Sequence, residues 1–246
     1  MVTDTEGLVL RQIKAANGRR MIVILTKRYG KISAGTSISE GGKNKTALAL
    51  RPFTYGRYEL FKGRETFSIN GAETLQSFYA IGENVEKYMA ASYALELTDR
   101  VTEEDQPQPG LLSVLKDFLE LLDERKSAFG TLLIAFQSKV LQIAGCAPQL
   151  DRCMRCGKEE DLAALSIADG GLICADCLAG SPPDPLVYEL SEDQLAALRF
   201  MAARPINALK GIGLNADAEK KLRRLFQAYI AYHLGIEDLK SESLVM

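Results

Sequence analysis

The sequence predicts an α+β protein with an N-terminal antiparallel β-barrel, a helical domain and a small four-cysteine insertion. Three observations support this organisation. The first 72 residues contain five short segments that are rich in β-forming residues and separated by turn signals. Apolar residues recur at helical spacing from residue 82 onward. Four of the five cysteines lie within residues 153–177, as two CxxC pairs.

The barrel prediction depends on where the turns fall. Asn17-Gly18, the segment RYGK at 28–31 and the glycine-rich segment at 40–45 separate the β-rich stretches. Pro52 stands at the entry of the fourth stretch, where a missing N–H does least harm. The predicted strands are GLVLRQI (7–13), RMIVILTK (20–27), KISAGTSI (31–38), GRYELFK (56–62) and ETFSING (65–71).

Five helices are predicted in the rest of the chain, three before the cysteine segment and two after it. Ser191 and Gln194 form a capping box, while Asn215 and Gly235 provide start and stop signals for the last helix. The predicted helices span 82–101, 111–124, 129–145, 191–203 and 215–234. We therefore expect a barrel domain at 1–75, a helical domain at 76–150 and 186–240, and a cysteine insertion at 151–185.

The net charge of −2 conceals an asymmetry between the two parts of the chain. Residues 1–72 contain 13 Lys/Arg against 5 acids, a net charge of +8, and the remainder carries a net charge of −10. A basic part of this kind indicates a polyanionic partner. The longest uncharged run, 127–138, is too short for a membrane helix, and the acidic N-terminus is not a signal peptide. The reducing cytosol is the expected compartment.

The cysteine segment has the spacing C-x2-C-x17-C-x2-C, which is typical of a tetrahedral structural zinc site. Two other interpretations are weaker. A dithiol redox pair would accompany a βαβ unit, and none is recognisable. A catalytic zinc site would use His or acids, yet the one histidine, His233, lies in the last turn of the last helix and is expected to be structural. Cys146 is expected to be a small buried residue. The predicted ligands are Cys153, Cys156, Cys174 and Cys177.

The basic barrel suggests a surface for nucleic acid, on which cations follow the phosphates and aromatic rings stack on bases. Tyr29 lies in a turn between cations and is the best candidate for stacking, whereas Tyr58 is expected in the core. The zinc segment carries more acids than cations, which argues against phosphate contacts there. The candidate DNA-binding residues are Arg11, Lys14, Arg19, Arg20, Lys27, Arg28, Tyr29, Lys31, Lys43, Lys45, Arg51 and Arg57.

Six phrases occur along the chain in this order: TEGLVLRQIK, ILTKRYGKISA, LRPFTYGRYELFKG, ASYALELTDRV, LDRCMRCGK with GGLICADC, and LRRLFQAYIAYHLG. Together they resemble the RecO family of DNA repair and recombination-mediator proteins. The resemblance covers nearly the whole chain, and the LDRCxxCG phrase after AGCAPQL is its most specific part. One departure is SAGTSISEGGKNK, where family members often carry a more basic stretch.

The resemblance implies a function without catalytic residues. It implies an N-terminal OB-fold, a helical domain and a zinc-finger-like insertion with a structural zinc ion. It also implies binding to single- and double-stranded DNA, annealing of complementary strands, and loading of recombinase onto coated single strands. The implied partners are RecR, single-stranded DNA-binding protein and RecA, and the implied location is the bacterial cytoplasm, associated with the nucleoid.

Two functions of other classes stay open at this point. An enzyme acting on nucleic acid would need an acid cluster, a Ser/His pair or a nucleotide-cradling loop, and the sequence offers no convincing one. The segment GIGLNA at 211–216 follows a predicted helix instead of a strand, which argues against a dinucleotide site. The other alternative is a zinc-ribbon adaptor that binds proteins and makes no direct contact with DNA. Salt-sensitive binding to bare DNA would argue against the adaptor.

Overall fold

The computed structural model describes residues 2–14, 20–38, 45–64 and 66–241. The chain divides into two compact units. One comprises Met1–Lys126 together with Leu239–Met246, and the other comprises Ser127–Asp238. Among the described residues, no helix combines the length and the apolar character that a membrane span requires.

Five strands of the first unit form a closed barrel in the order β1-β2-β3-β5-β4. They are β1 (Val2–Lys14), β2 (Arg20–Thr26), β3 (Gly30–Thr36), β4 (Thr54–Lys62) and β5 (Phe67–Ser77). Neighbouring strands are antiparallel except β3 and β5, which meet through a short parallel pairing at Ala34 and Phe67. All five predicted strands are confirmed, and the last runs six residues beyond the predicted end.

The barrel interior is filled by alternate residues of the strands, because successive side chains point to opposite faces. Tyr58 is fully buried, as predicted, and its hydroxyl donates to the Ala49 carbonyl at 2.9 Å. Burial raises the pKa of Tyr58 far above its ordinary value. Ala49 ends a short helix, α1 (Lys45–Ala49), which the sequence did not predict and which brings Leu50 into the core.

A 3-10 helix and two α-helices complete the first unit. The 3-10 helix spans Tyr79–Glu83, and α2 (Val85–Val101) and α3 (Pro109–Glu124) follow. Both predicted helices are confirmed, although α2 begins three residues later, where the Asn84 side chain accepts from the Lys87 amide at 3.0 Å. Pro109 opens α3 at a position where a missing N–H costs nothing.

The carboxylate of Glu96 on α2 holds the segment that returns to this unit near the C-terminus. It accepts hydrogen bonds from the amides of Lys240 and Ser241 at 2.9 and 2.8 Å and from the Ser241 hydroxyl at 2.6 Å. Burial alone would raise the pKa of Glu96, but these hydrogen bonds outweigh it and lower the pKa below 4.5. The anchor therefore depends on an ionised carboxylate.

We expect this anchor to be lost in acid. A carboxylate whose pKa is depressed by folding contributes stability above its unfolded pKa, and that contribution disappears as the pH falls through the folded value, below 4.5. Hydrogen exchange of the Lys240 and Ser241 amides, corrected for intrinsic rates, should accelerate in that range. Glu96→Gln should exchange rapidly at neutral pH as well, and Glu83→Gln serves as the control. Unchanged protection in Glu96→Gln would contradict the anchor.

The second unit contains helices α4 (Phe129–Ile143), α6 (Glu192–Ala203) and α7 (Ala216–Leu234). All three predicted helices are confirmed, with the capping box of α6 and the Asn215 and Gly235 caps of α7 in place. Thr131 of α4 is fully buried and donates to the Glu219 carboxylate of α7 at 2.7 Å. The cysteine segment contributes β6 (Leu162–Ser166), β7 (Gly171–Cys174) and the short helix α5 (Ala175–Ala179). A strand that follows the segment, β8 (Val187–Glu189), completes a three-stranded sheet in the order β7-β6-β8.

Candidate metal centre and nucleic-acid interface

The structure brings the four predicted cysteine ligands to one point. Their sulfur atoms all lie within 4.8 Å of one another, with Cys153 and Cys174 buried and Cys156 exposed. The first CxxC pair lies in a loop that turns at Gly157, where φ is +79°. The second pair lies where β7 passes into α5, so the β6–β7 hairpin carries it back to the first.

The spacing and chemistry of this group, the four-sulfur cluster, fit a tetrahedral divalent ion. Metal–sulfur distances of about 2.3 Å imply sulfur–sulfur distances of about 3.8 Å in a tetrahedron. The Cys156 and Cys174 sulfurs are 3.6 Å apart. Four thiolates this close would repel one another, and a cation is what would allow them to ionise together. The cluster could therefore hold a metal ion.

The cluster also contains groups that favour a thiolate. Burial opposes ionisation of Cys153, but hydrogen bonds from the backbone N–H groups of Cys156, Cys174 and Arg155 lower its pKa to about 6. Cys177 is the cysteine that stays protonated, since hydrogen bonds with the side chains of Cys156 and Cys174 raise its pKa to about 12. A ligand set with one thiolate already favoured is suited to a metal that releases the remaining protons.

The cluster of buried residues around the ligands includes two of the ligands themselves. Its buried members are Ala164 and Ile173 together with Cys153 and Cys174. Two of the three cations of the module are paired with acids: Arg155 with Asp169 at 2.8 Å and Lys158 with Asp161 at 2.6 Å. The third, Arg152, is exposed and forms no ion pair with a described residue. The two pairs agree with the prediction that the module offers little to phosphates.

The fifth cysteine and the histidine lie outside the cluster. Cys146 is half-buried, where full burial was expected, and desolvation raises its pKa. The Nε2 atom of His233 is 2.8 Å from the Ile167 carbonyl oxygen, and its ring packs on Tyr229 with the ring centres 4.2 Å apart. These contacts support the structural role expected for His233.

On the barrel, two acids hold four of the predicted DNA-binding cations. Glu6 lies 2.8 Å from Lys27 and 3.9 Å from Arg57. Hydrogen bonds from Lys27 and then from Tyr55 lower the pKa of Glu6.

The second acid, Asp99, lies on α2 and is nearly enclosed. Its carboxylate lies 2.5 Å from Arg11 and 3.3 Å from Lys31, and the Lys31 ammonium also donates to the Asp99 carbonyl at 2.6 Å. Lys31 is only 14% exposed and Arg11 is 50% exposed. Of this pair, Arg11 is therefore the one that a phosphate could reach.

Arg20 is buried, and its guanidinium donates to the Ile38 carbonyl. Reversing its charge would therefore disturb the barrel as well as any surface that it adjoins.

Tyr29 lies between the barrel core and the surface. Its hydroxyl shares a 2.8 Å hydrogen bond with Thr3, and its ring packs against Phe67 with the centres 5.3 Å apart. The Arg28 guanidinium covers the same ring at 5.4 Å. Tyr29 is thus half-buried, and its ring already packs against Phe67 and Arg28, which leaves only part of the ring for a base.

Three further predicted cations, Lys14, Lys45 and Arg51, form no ion pair with any described residue. Lys14 and Lys45 are exposed. Arg19 and Lys43 lie outside the described residues.

Comparison with known proteins covers the chain from end to end. The family model described as "Recombination protein O N terminal" matches residues 1–78, and that described as "Recombination protein O C terminal" matches residues 82–243. The chain belongs to the RecO family. Its relatives include the DNA repair protein RecO of Alkaliphilus metalliredigens, 31% identical with 98% of this chain and 97% of the relative covered. The DNA repair protein RecO of Myxococcus xanthus is 30% identical, with coverage of 94% and 92%.

In this RecO chain, the sequence did not reveal the two acids that pair with the cations of the barrel, Glu6 and Asp99. Asp99 stands in the phrase ASYALELTDRV, which carried part of the resemblance, yet it lies 88 positions from Arg11. Glu6 lies 49 positions from Tyr55. The only sequence signal for such pairs is the scarcity of acids among many cations, because a few acids in a basic region readily attract several of them.

Proposed function

We propose that this RecO chain is a non-enzymatic DNA-binding recombination mediator. It binds single- and double-stranded DNA, anneals complementary strands and helps to load recombinase onto coated single strands. Its partners are RecR, single-stranded DNA-binding protein and RecA, and it works in the bacterial cytoplasm at the nucleoid. The observation that carries the proposal is a net charge of +8 on residues 1–72 of a chain whose relatives are named DNA repair protein RecO.

The proposal assigns each region a part. Residues 1–75 form an OB-fold that binds DNA, residues 76–150 and 186–240 form the helical domain, and residues 151–185 form a zinc-finger-like staple. Zinc is the ion proposed for the four-sulfur cluster, since four thiolates in a closed tetrahedron suit it best. Held by the four cysteines in a closed site, zinc would supply folding energy and no reaction chemistry.

Annealing follows from charge neutralisation. Two complementary strands repel each other through their phosphates, and cations that contact both strands lower that repulsion while releasing condensed counterions. Four of the predicted DNA-binding cations are exposed or half-exposed and form no ion pair with a described residue: Lys14, Arg28, Lys45 and Arg51. Arg11, Lys27 and Arg57 are half-exposed and become available when a phosphate displaces Glu6 or Asp99.

A salt series with a fluorescent single-stranded oligonucleotide and no other protein tests the proposal. We expect log K to fall linearly with log salt, with a slope of about −0.7 for each phosphate contacted. The variant Lys14→Glu/Arg28→Glu should bind more weakly, and its slope should be shallower by about 1.4, which is two contacts. The same variant should anneal complementary oligonucleotides more slowly.

The matched control reverses two cations on α7, Lys220→Glu/Arg224→Glu. It changes the net charge by the same amount in the other unit, so it separates a local contact from a general attraction. Equal losses in both variants would argue against the barrel as the interface. Absence of binding by the wild-type chain at low salt would refute direct DNA binding and favour the adaptor.

A further inference from the structure

A groove on the first unit lies beside α1 and the far end of β5. Its volume is about 660 Å³, which is within the range of about 300–1,000 Å³ for small-ligand sites. Lys45, Leu48, Arg51, Thr74, Ser77 and Tyr79 contribute to its lining. It thus combines two cations, hydroxyl groups and apolar surface within the reach of one bound group.

Tyr79 is the most distinctive residue of this groove. Tyr79 is 68% exposed. It is the first residue of a 3-10 helix, and the residues close to it in sequence are buried in the core. Phe78 is 1% exposed and its amide donates to the Phe53 carbonyl at 2.9 Å, while Ile81 is fully buried. An aromatic ring that is exposed on a firmly held backbone loses little freedom when it stacks on a ligand.

The charges of the groove select an anion. Lys45 and Arg51 form no ion pair with any described residue. The acid at the rim, Glu73, is exposed and lies 3.8 Å from the Arg57 guanidinium, which offsets part of its charge. A planar ring next to two available cations suits a ligand that carries both an aromatic face and a phosphate.

We propose that this groove holds one unstacked nucleotide of a bound DNA strand. Tyr79 stacks on the base, and Lys45 and Arg51 contact the flanking phosphates. The inference rests on the proposed DNA binding and adds a base-stacking residue that the charge pattern did not suggest. Because a ring stacks on any base, the subsite is indifferent to sequence and suits a protein that works along arbitrary strands.

Two oligonucleotides of equal length separate the base from the phosphates. One is oligo(dT), and the other is the same backbone with abasic sites throughout. Tyr79→Ala should bind oligo(dT) roughly 5- to 150-fold more weakly, because this is the loss typically seen when an aromatic residue that stacks on a base is replaced by alanine. Its affinity for the abasic strand should be unchanged. Lys45→Gln/Arg51→Gln should weaken binding to both strands alike and make the salt slope shallower by about 1.4.

A spectroscopic variant gives an independent readout. The chain contains no tryptophan, so Tyr79→Trp places its one tryptophan in the groove, where it can be excited at wavelengths that tyrosine does not absorb. Its fluorescence should be quenched by oligo(dT) and not by the abasic strand. Tyr232→Ala and Tyr232→Trp are the matched controls, since Tyr232 is another exposed tyrosine, at 54%, in the other unit. Neither control should respond to the base.

The outcomes distinguish this inference from the proposed function. If the wild-type chain binds oligo(dT) but Tyr79→Ala matches Tyr232→Ala, the stacking site is refuted and DNA binding stands. Equal losses of Tyr79→Ala on both strands would likewise refute stacking on a base. If the wild-type chain binds neither strand, the proposed function fails and the subsite fails with it.

Discussion

Cys174→Ser should release the metal and unfold the cysteine module, whereas Cys146→Ser should do neither. Cys174 is a buried member of the four-sulfur cluster, and Cys146 is a half-buried thiol outside it. Structural zinc contributes about 10–16 kcal/mol of apparent binding energy in zinc-finger peptides. Cys174 also belongs to the buried cluster with Ala164 and Ile173, so losing the metal there should disturb the packing of the module as well. The wild type and Cys146→Ser should each contain one zinc ion per chain.

The unfolding caused by Cys174→Ser should be confined to the cysteine module. Helices α4, α6 and α7 lie outside the module and bury residues of their own, such as Leu133, Leu198 and Leu225. Limited proteolysis of Cys174→Ser should therefore cut within residues 151–185 while circular dichroism keeps most of its helical signal. Treatment of the wild-type chain with a zinc chelator should give the same cleavage pattern. If Cys174→Ser contained no metal and yet resisted protease as the wild type does, the proposed folding role of the metal would be refuted.

Local patterns explain which parts of the fold could be predicted. The two CxxC pairs and the capping box of Ser191 and Gln194 are fixed by spacing within a few residues, and each is found as expected. The five-residue helix α1 is too short to show a helical repeat, so nothing in KTALA distinguished it from a loop. The strand β6 was missed because LAALS alternates neither in polarity nor in size.

Long-range pairing explains what could not be predicted at the candidate interface. Counting cations identified a basic barrel, but the sequence does not show which cations an acid has already engaged. Asp99 engages Arg11 and Lys31 across 88 and 68 positions, and the Ile38 carbonyl engages the buried Arg20. Tyr79 is the opposite case, a residue that is available although nothing in the sequence singles it out. It is exposed because the nearby Phe78 and Ile81 occupy the core positions.

Gly30→Ala should be among the most damaging single substitutions of the first unit. Gly30 has φ of +68°, and a Cβ there would overlap the backbone carbonyl of Gln106 and approach its amide nitrogen to 2.8 Å. This close approach is part of a backbone contact, because the Asp105 amide donates to the Lys31 carbonyl at 3.1 Å. A clash with backbone cannot be relieved by rotating a side chain, so the turn must move away from the segment against which it packs.

Three glycines allow the backbone cost of a positive φ to be separated from the cost of the steric clash with Gln106. Gly82 has open space around its Cβ position and no left-handed φ, so Gly82→Ala should change the free energy of unfolding by less than about 0.5 kcal/mol. Gly145 has φ of +76° and equally open space, so Gly145→Ala should cost about 1 kcal/mol for the backbone conformation alone. Gly30→Ala carries both costs, and we expect a loss on the order of 4 kcal/mol.

Urea denaturation of the three variants, followed by circular dichroism, would measure these differences. If Gly30→Ala lost no more than Gly145→Ala, the packing of the turn against Gln106 would be refuted. The same turn carries Arg28 and Tyr29, so a displaced turn should also weaken DNA binding at concentrations of urea where the chain is still folded. Gly145→Ala should leave DNA binding unchanged, because its residue lies in the other unit. A loss of affinity in Gly30→Ala alone would then connect the geometry of one glycine to the proposed DNA surface.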